Sequence, residues 1–234
     1  MTEKLIAGLE KLELHLSDTQ INQLEMYIQE VLEFNKGYNL MKADDANELA
    51  VNHILDTLVA VPHIKELILK RCEETGKAVL DIADIGSGGG CPGIPLSIVF
   101  PEHSFTLVER MEKRCGFLSL VVNKLELKNV KIECKAVDVM PTEVFDIEVF
   151  RAFHPFDLKI TNLLLRMLKK GGCLAAYKAR EEKILAEMEA VKIIVKDYSK
   201  IKMVVPFLED HERHLVVITA ASCLPKVKSQ KSIE

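Results

Sequence analysis

From residue 79 onward, short apolar runs alternate with amphipathic stretches, a pattern that predicts a series of β-α-β units. Residues 79–85, 104–108, 130–137, 145–150 and 173–177 read as strands, while 93–100, 113–125, 157–168 and 181–191 read as helices. The helix at 157–168 is expected to close at Gly171-Gly172. Two last strands, near 193–205 and 214–219, have no helix between them, which predicts an antiparallel edge pair. Strands that alternate with helices imply a parallel sheet covered on both faces. The expected fold class is therefore α/β, a mostly parallel seven-stranded sheet with an antiparallel edge strand.

Residues 1–70 carry a different, helical pattern. After Ser17-Asp18, either of which can cap a helix, Ile21, Leu24, Ile28, Val31, Leu32 and Asn35 recur at helical spacing, and Gly37 is expected to end that helix. Asp45 with Glu48 resembles a capping box, and Leu49, His53, Ile54 and Leu58 carry a second helix to Pro62. Three segments follow: a helical extension over 1–70, a cofactor-binding domain over 71–222 and a polar, lysine-rich tail over 223–234. The extension either packs on the main domain or helps to shape a substrate site.

Composition narrows the class. The chain has 234 residues, 48% of them hydrophobic and 28% charged, and no apolar run reaches the roughly 20 residues of a membrane span. The start is polar and does not resemble a signal peptide. Six widely spaced cysteines (Cys72, Cys91, Cys115, Cys134, Cys173 and Cys223), without a C-x-x-C pair or nearby histidines, predict reduced thiols, a cytoplasmic location and no metal site. The net charge of −4 is unevenly distributed. Residues 1–50 hold 4 basic and 10 acidic side chains, residues 51–150 hold 11 and 15, and residues 151–234 hold 16 and 10. A basic C-terminal third can meet phosphates.

The densest chemical signal is the turn Asp84-Ile85-Gly86-Ser87-Gly88-Gly89-Gly90-Cys91-Pro92-Gly93, with five glycines in the eight residues from Gly86 to Gly93. Glycines at a strand-to-helix turn let main-chain N–H groups approach a ligand. A phosphate-binding P-loop would need a Gly-Lys-Ser or Gly-Lys-Thr, which this turn lacks. A dinucleotide fingerprint can be read at Gly88, Gly90 and Gly93, with Glu109 beyond it. The third option is an acidic residue, one spacer and G-x-G-x-G, here Asp84, Gly86, Gly88 and Gly90, the arrangement of S-adenosylmethionine sites. Asp84 can then meet the ammonium of the methionine moiety, Glu109 the ribose hydroxyls and Asp138 the adenine amino group, each near the end of a successive strand. A methyltransferase is favoured over an oxidoreductase.

That turn, together with flanking motifs, resembles the bacterial ribosomal RNA small subunit methyltransferase G family. The motifs are Phe34-Asn35-Lys36-Gly37-Tyr38-Asn39-Leu40, His53-Ile54-Leu55-Asp56, Cys91-Pro92-Gly93-Ile94-Pro95, Lys113-Arg114, Arg151-Ala152-Phe153 and Glu212-Arg213-His214-Leu215-Val216. The resemblance spans residues 20–218 and implies a Rossmann-like class I fold. It also implies methyl transfer from S-adenosylmethionine to N7 of one guanine (guanine 527) of 16S rRNA. The implied partner is 16S rRNA, in the small subunit or an assembly intermediate, and a monomer is expected. The implied cofactor contacts are Gly86, Cys91, Glu109, Arg110, Met111, Ala136, Val137 and Arg151. Where the family usually has tryptophan, arginine, a large apolar residue, arginine and glycine, this chain has Phe34, Asn52, Cys91, Lys135 and Ala179. Guanine N7 carries no proton, so no general base is expected, and Arg151 is the catalytic candidate by positioning. A structural ion pair of Arg151 with Asp84 or Asp146 is the alternative. Candidate RNA contacts are Asn39, His53, Lys113, Arg114, Lys178 and Arg213, with Phe153, Phe156 and Tyr177 as possible stacking platforms. Rival activities are a small-molecule methyltransferase on the same fold and a dinucleotide-binding oxidoreductase.

Overall fold

A computed structural model describes residues 2–220. Cys223 and the 223–234 tail lie outside the described residues. Seven strands form one sheet in the order β3-β2-β1-β4-β5-β7-β6, with β1 Asp81–Ile85, β2 Ser104–Glu109, β3 Val130–Cys134, β4 Phe145–Arg151, β5 Leu168–Lys178, β6 Ser199–Met203 and β7 Arg213–Thr219. The first five run parallel, and β7 lies antiparallel between β5 and β6. The strand order reverses at β1, so the C-terminal ends of β1 and β4 flank a natural ligand crevice.

The N-terminal helices are α1 (Glu3–Lys11), α2 (Asp18–Asn35), α3 (Ala46–Leu49), a π-helix (Ala50–Leu55), α4 (Asp56–Leu58) and α5 (Val61–Thr75). Ser17 caps α2 in a full capping box with Gln20, and Asp45 caps α3 through the Glu48 N–H. Helix α2 ends at Asn35, before Gly37, because the Asn35 amide side chain accepts from Leu40 N and Met41 N and turns the chain into the following loop. Pro62 does not end the second helix but sits in the first turn of α5, where its missing N–H has no intrahelical partner to lose. The remaining helices, α6 (Gly93–Val99), α7 (Glu112–Lys124), α8 (Leu158–Met167) and α9 (Glu181–Val191), cover the sheet.

Two apolar clusters fill the two faces. Ile82, Leu107, Ile147 and Val149 pack under α2, the π-helix and α6, while Ala83, Val108, Phe150 and Leu174 pack under α8 and α9. The extension thus shares a core with the sheet.

Two expectations are corrected. Gly171-Gly172 does not close a helix: β5 begins at Leu168, directly after α8, and runs through both glycines. The register jumps there, from Phe145 opposite Leu168 to Ile147 opposite Cys173, and Gly171 at φ 78° carries the irregularity. The cysteines are not all thiols, because Cys115 and Cys134 form a disulfide with Cα atoms 5.9 Å apart. The parallel register sets Glu109 beside Cys134, and Cys115, in the first turn of α7, lies against the Glu109 carbonyl, so two cysteines 19 residues apart meet. Cys72, Cys91 and Cys173 are free.

Candidate functional site

The chain leaves β1 at Ile85 and turns through Gly86 at φ 70°, a left-handed conformation that suits glycine. The turn is held from both sides. Gly86 N and Ser87 N donate to the carbonyl of Val108, and the Tyr27 hydroxyl, reaching from α2, donates to the Gly89 carbonyl at 2.6 Å. The same hydroxyl lies 3.4 Å from Cys91 Sγ. The Cys91–Pro92 bond is cis.

Asp84 is fully buried beneath this turn. Its Oδ2 accepts from Ser87 Oγ at 2.7 Å and Gly93 N at 2.8 Å, while Oδ1 has no partner among the described residues. Burial raises its pKa to about 6, against the two hydrogen bonds, which favour the anion. The free oxygen and the elevated pKa describe a carboxylate that lacks a cation. An ammonium group would satisfy both conditions.

Glu109, at the end of β2, is nearly buried, and Oε1 accepts from Arg110 N and Met111 N while Oε2 accepts from Gly88 N. Arg114 approaches the same carboxylate at 3.7 Å. These bonds fix the carboxylate at the cleft and leave lone pairs for ligand hydroxyls. Gly86, Glu109, Arg110, Met111, Arg114, Ala136, Val137 and Asp138 line one cleft of about 540 Å³. Asp138 is exposed on a 3-10 turn, Val137–Val139, whose carbonyls receive Arg166. Gly88 and Gly90 belong to the same turn, and Gly90, like Cys91, faces its buried side.

A second cleft of about 510 Å³ adjoins the first, and Ala152, Phe153 and His154 wall both. Ala152, at φ 51°, bends the chain off β4 and brings the Phe153 ring against Gly86, where a Cβ would collide with it. His53, Asp56, Arg151, Tyr177, Lys178 and Arg213 also line this cleft. Arg151 donates from Nη1 to Asp56 Oδ2 (2.8 Å) and to the Asn52 carbonyl (3.1 Å), and from Nη2 to His53 Nδ1 (2.8 Å). The π-helix makes this possible: its wider turn aims the Asn52 carbonyl, the His53 ring and, one residue beyond its end, Asp56 at one guanidinium. The partner of Arg151 is therefore Asp56, not Asp84 or Asp146, which instead binds Arg71 and Lys169 at the far end of the sheet.

His53 accepts from Arg151 at Nδ1, so its proton resides on Nε2, which faces the Lys42 carbonyl at 3.0 Å. Burial, and then the Arg151 charge, push its pKa below the usual histidine range. Because the backbone carbonyl of residue 52 binds Arg151, the loss of a charged side chain at Asn52 leaves that contact in place.

The RNA candidates separate. Lys113 is exposed and lies over the Tyr38 ring at 4.1 Å, and Asn39 is exposed in the neighbouring loop. Arg114 turns toward Glu109. Lys178 is engaged with Glu187 at 2.6 Å and rests on the Phe156 ring, and Arg213 donates to Asp56 at 2.6 Å. Of the aromatic candidates, Phe156 and Tyr177 are core residues, Phe156 edge-on to Phe150 and Tyr177 bonded to the Thr57 carbonyl. Phe153 lies in the wall shared by both clefts, and Tyr177 borders the second one only. Tyr27, Ser87 and Asp56 are site residues that the sequence pattern does not single out. Asp56 does lie inside the His53-Ile54-Leu55-Asp56 motif and Ser87 inside the Asp84–Gly93 turn, whereas nothing marks Tyr27.

An S-adenosylmethionine molecule fits this donor set: Asp84 offers an unpaired anionic oxygen for an ammonium, Glu109 offers fixed acceptors for hydroxyls, and Gly86 offers backbone without a Cβ. Titration supplies a test. Asp84 takes up a proton as pH falls through about 6, which removes the partner of the ammonium. Affinity for S-adenosylhomocysteine, measured by calorimetry, is expected to fall about tenfold per pH unit below 6, and Asp84→Asn to bind weakly with a flat profile. In the ligand-free protein the sign is opposite: the folded state holds the proton more tightly, so stability rises as pH drops from about 6 toward 3.8.

Comparison with known proteins gives concordant results. Residues 20–216 match the family described as rRNA small subunit methyltransferase G. A ribosomal RNA small subunit methyltransferase G from Treponema denticola is 38% identical over 215 residues, covering 83% of this chain and 84% of the relative. The Escherichia fergusonii protein of the same name is 37% identical over 221 residues, covering 93% and 98%. Among solved structures, a SAM-dependent methyltransferase from Aquifex aeolicus matches with a TM-score of 0.51 at 14% identity, covering 82% of this chain and 97% of that one. The tRNA (m1A58) methyltransferase TrmI from the same organism matches with a TM-score of 0.50 at 13% identity, covering 69% of each chain. At such identities the structural likeness speaks for the Rossmann-like methyltransferase fold.

Proposed function

This chain belongs to the rRNA small subunit methyltransferase G family, and from that premise we propose that it methylates N7 of a single guanine of 16S rRNA, guanine 527 by the family resemblance, using S-adenosylmethionine. The observation that carries the reading is the pair of adjoining clefts: one lined by Gly86 and Glu109, with the unpaired Asp84 oxygen buried beneath its glycine turn, the other walled by Arg151. Membership in a methyltransferase family displaces the dinucleotide alternative. The substrate is 16S rRNA in the small subunit or its assembly intermediate, and the protein acts in the cytoplasm as a monomer.

Bound S-adenosylmethionine supplies an electrophilic methyl carbon on a sulfonium. The protein has to hold donor and acceptor in line and exclude water. Asp84 and Glu109 bind the donor; Phe153 and His154, in the shared wall, separate or admit the acceptor; Arg151 orients the acceptor purine or its backbone. Guanine N7 is a lone pair without a proton, so no base is required. The engagement of the second cleft's titratable groups Asp56, His53 and Glu187 agrees with this. Both oxygens of Asp56 and both nitrogens of His53 are bonded, and Glu187 receives Lys178 and Phe156 N. His154 is exposed at the rim. His154→Gln is expected to retain the methylation rate within about threefold, whereas removal of a true general base lowers rates about 10²- to 10⁴-fold. Steady-state kinetics on small subunits separate the two outcomes.

The reading is tested in cells by mapping 16S rRNA after deletion of the gene. One N7-methylguanine should disappear and return on complementation. Unchanged modification would refute the assignment.

A further inference from the structure

The carboxylate of Asp56 joins two cations that the sheet holds apart. Arg151 ends β4 and Arg213 begins β7, with β5 between them. Asp56, 5% exposed, gives Oδ2 to Arg151 at 2.8 Å and Oδ1 to Arg213 at 2.6 Å. It is contributed by the N-terminal extension, so a single side chain of the extension fixes two guanidinium groups of the core. Lys178, the neighbouring cation at the end of β5, is already neutralised by Glu187. The wall of the second cleft therefore carries two positive charges against one negative charge.

The charge balance bears on the chemistry. Methyl transfer forms an N7–carbon bond and breaks a sulfur–carbon bond, the bonding pair going to sulfur. No proton moves. The positive charge that begins on the sulfonium ends on the methylated guanine ring. A positive potential at the acceptor side opposes both the binding of a cationic donor and this displacement of charge. We propose that Asp56 is a positioning residue that holds Arg151 in the wall of the second cleft, next to the Ala152–His154 segment that both clefts share, and offsets the charge of the Arg151–Arg213 pair, so that a cationic donor and a cationic product are tolerated there. This rests on the proposed methyl transfer, but its test does not need the RNA.

S-adenosylmethionine and S-adenosylhomocysteine differ chiefly in the sulfonium charge, so the ratio of their affinities reads the local potential. In Asp56→Asn the ratio is expected to shift about three- to tenfold against S-adenosylmethionine. Asp56→Glu restores it, and so does the charge-balancing double variant Asp56→Asn/Arg213→Gln. A purely structural role predicts equal loss for both ligands, no rescue by Asp56→Glu and a double variant no better than the single. Arg213→Gln alone shifts the ratio in the opposite direction, so the inference stays testable even where Asp56→Asn does not fold. An unchanged ratio in these variants overturns the inference while leaving the proposed function intact. Wild-type protein that binds neither ligand overturns the proposed function, and this inference with it.

Discussion

Replacement of Arg151 by alanine is expected to lower the methylation rate by about two to three orders of magnitude, because the guanidinium is the firmly held side chain of the second cleft that the proposal uses to orient the acceptor. Three groups hold it: the Asp56 carboxylate, the Asn52 carbonyl and the His53 ring. Its side chain is 16% exposed, so its interactions act at low screening. Truncation leaves Asp56 with Arg213 alone, and His53 Nδ1 and the Asn52 carbonyl without their donor. A stability loss of about 2 kcal/mol is expected, less than for a buried carboxylate left wholly unpaired. Denaturant unfolding measures that loss, and kinetics with S-adenosylhomocysteine titration measure the site. Arg151→Lys keeps the charge but cannot serve three acceptors in the plane of one fork, so it should recover stability more than rate. Unchanged rate and unchanged affinity in Arg151→Ala would remove the residue from the site.

Gly93→Ala is the second large effect. Gly93 opens α6 and donates its N–H to Asp84 Oδ2 at 2.8 Å. A Cβ there would stand 2.7 Å from both the Cβ and Oδ2 of Asp84 and would strike Leu107, all of them buried. Asp84 cannot keep its bonds to Ser87 and Gly93 and admit the methyl group. Overpacking of this kind typically costs about 1–3 kcal/mol, and displacement of the donor's anchor should weaken S-adenosylhomocysteine binding at least about tenfold. Gly116→Ala is the control: Gly116 lies within α7, where a Cβ meets nothing within 4 Å, and the change should leave binding alone and stabilise by about 0.5–1 kcal/mol. Equal behaviour of the two variants would detach Asp84 from cofactor binding.

What the sequence discloses and what it hides divide along a physical line. The turn around Asp84, with Glu109 at the next strand end, is legible because strand, glycines and helix follow one another within a few residues; β3, expected over 130–137, stops at Cys134, so Asp138 sits on a 3-10 turn beyond it and not at the strand end. The strand–helix alternation is legible for the same reason, as is the antiparallel pairing of β6 with β7. The links that complete the site are not local. Asp56 meets Arg151 across 95 residues and Arg213 across 157, and Tyr27 meets Gly89 across 62. No periodicity marks such a meeting, because it depends on how the extension docks on the sheet. The π-helix at 50–55 is equally silent, since its residues suit an ordinary helix until Arg151 draws on their carbonyl and ring. The partners of Lys178 and the pairing of Cys115 with Cys134 were hidden in the same way. A cation reads as available in sequence until the fold supplies Glu187, and two cysteines read as separate until β2 and β3 align. Gly171-Gly172 misled for the converse reason: glycines that stop helices also carry bulges in strands.

The central claim is that the two adjoining clefts bring S-adenosylmethionine to guanine N7 in 16S rRNA. The most direct test incubates the purified protein with isotopically labelled S-adenosylmethionine and small subunits that lack the modification, then locates the label by mass spectrometry of 16S rRNA fragments. One label is expected, on N7 of a single guanine, and lost in Arg151→Ala. Label on another base, on an exocyclic amine, or absent from the rRNA would contradict it.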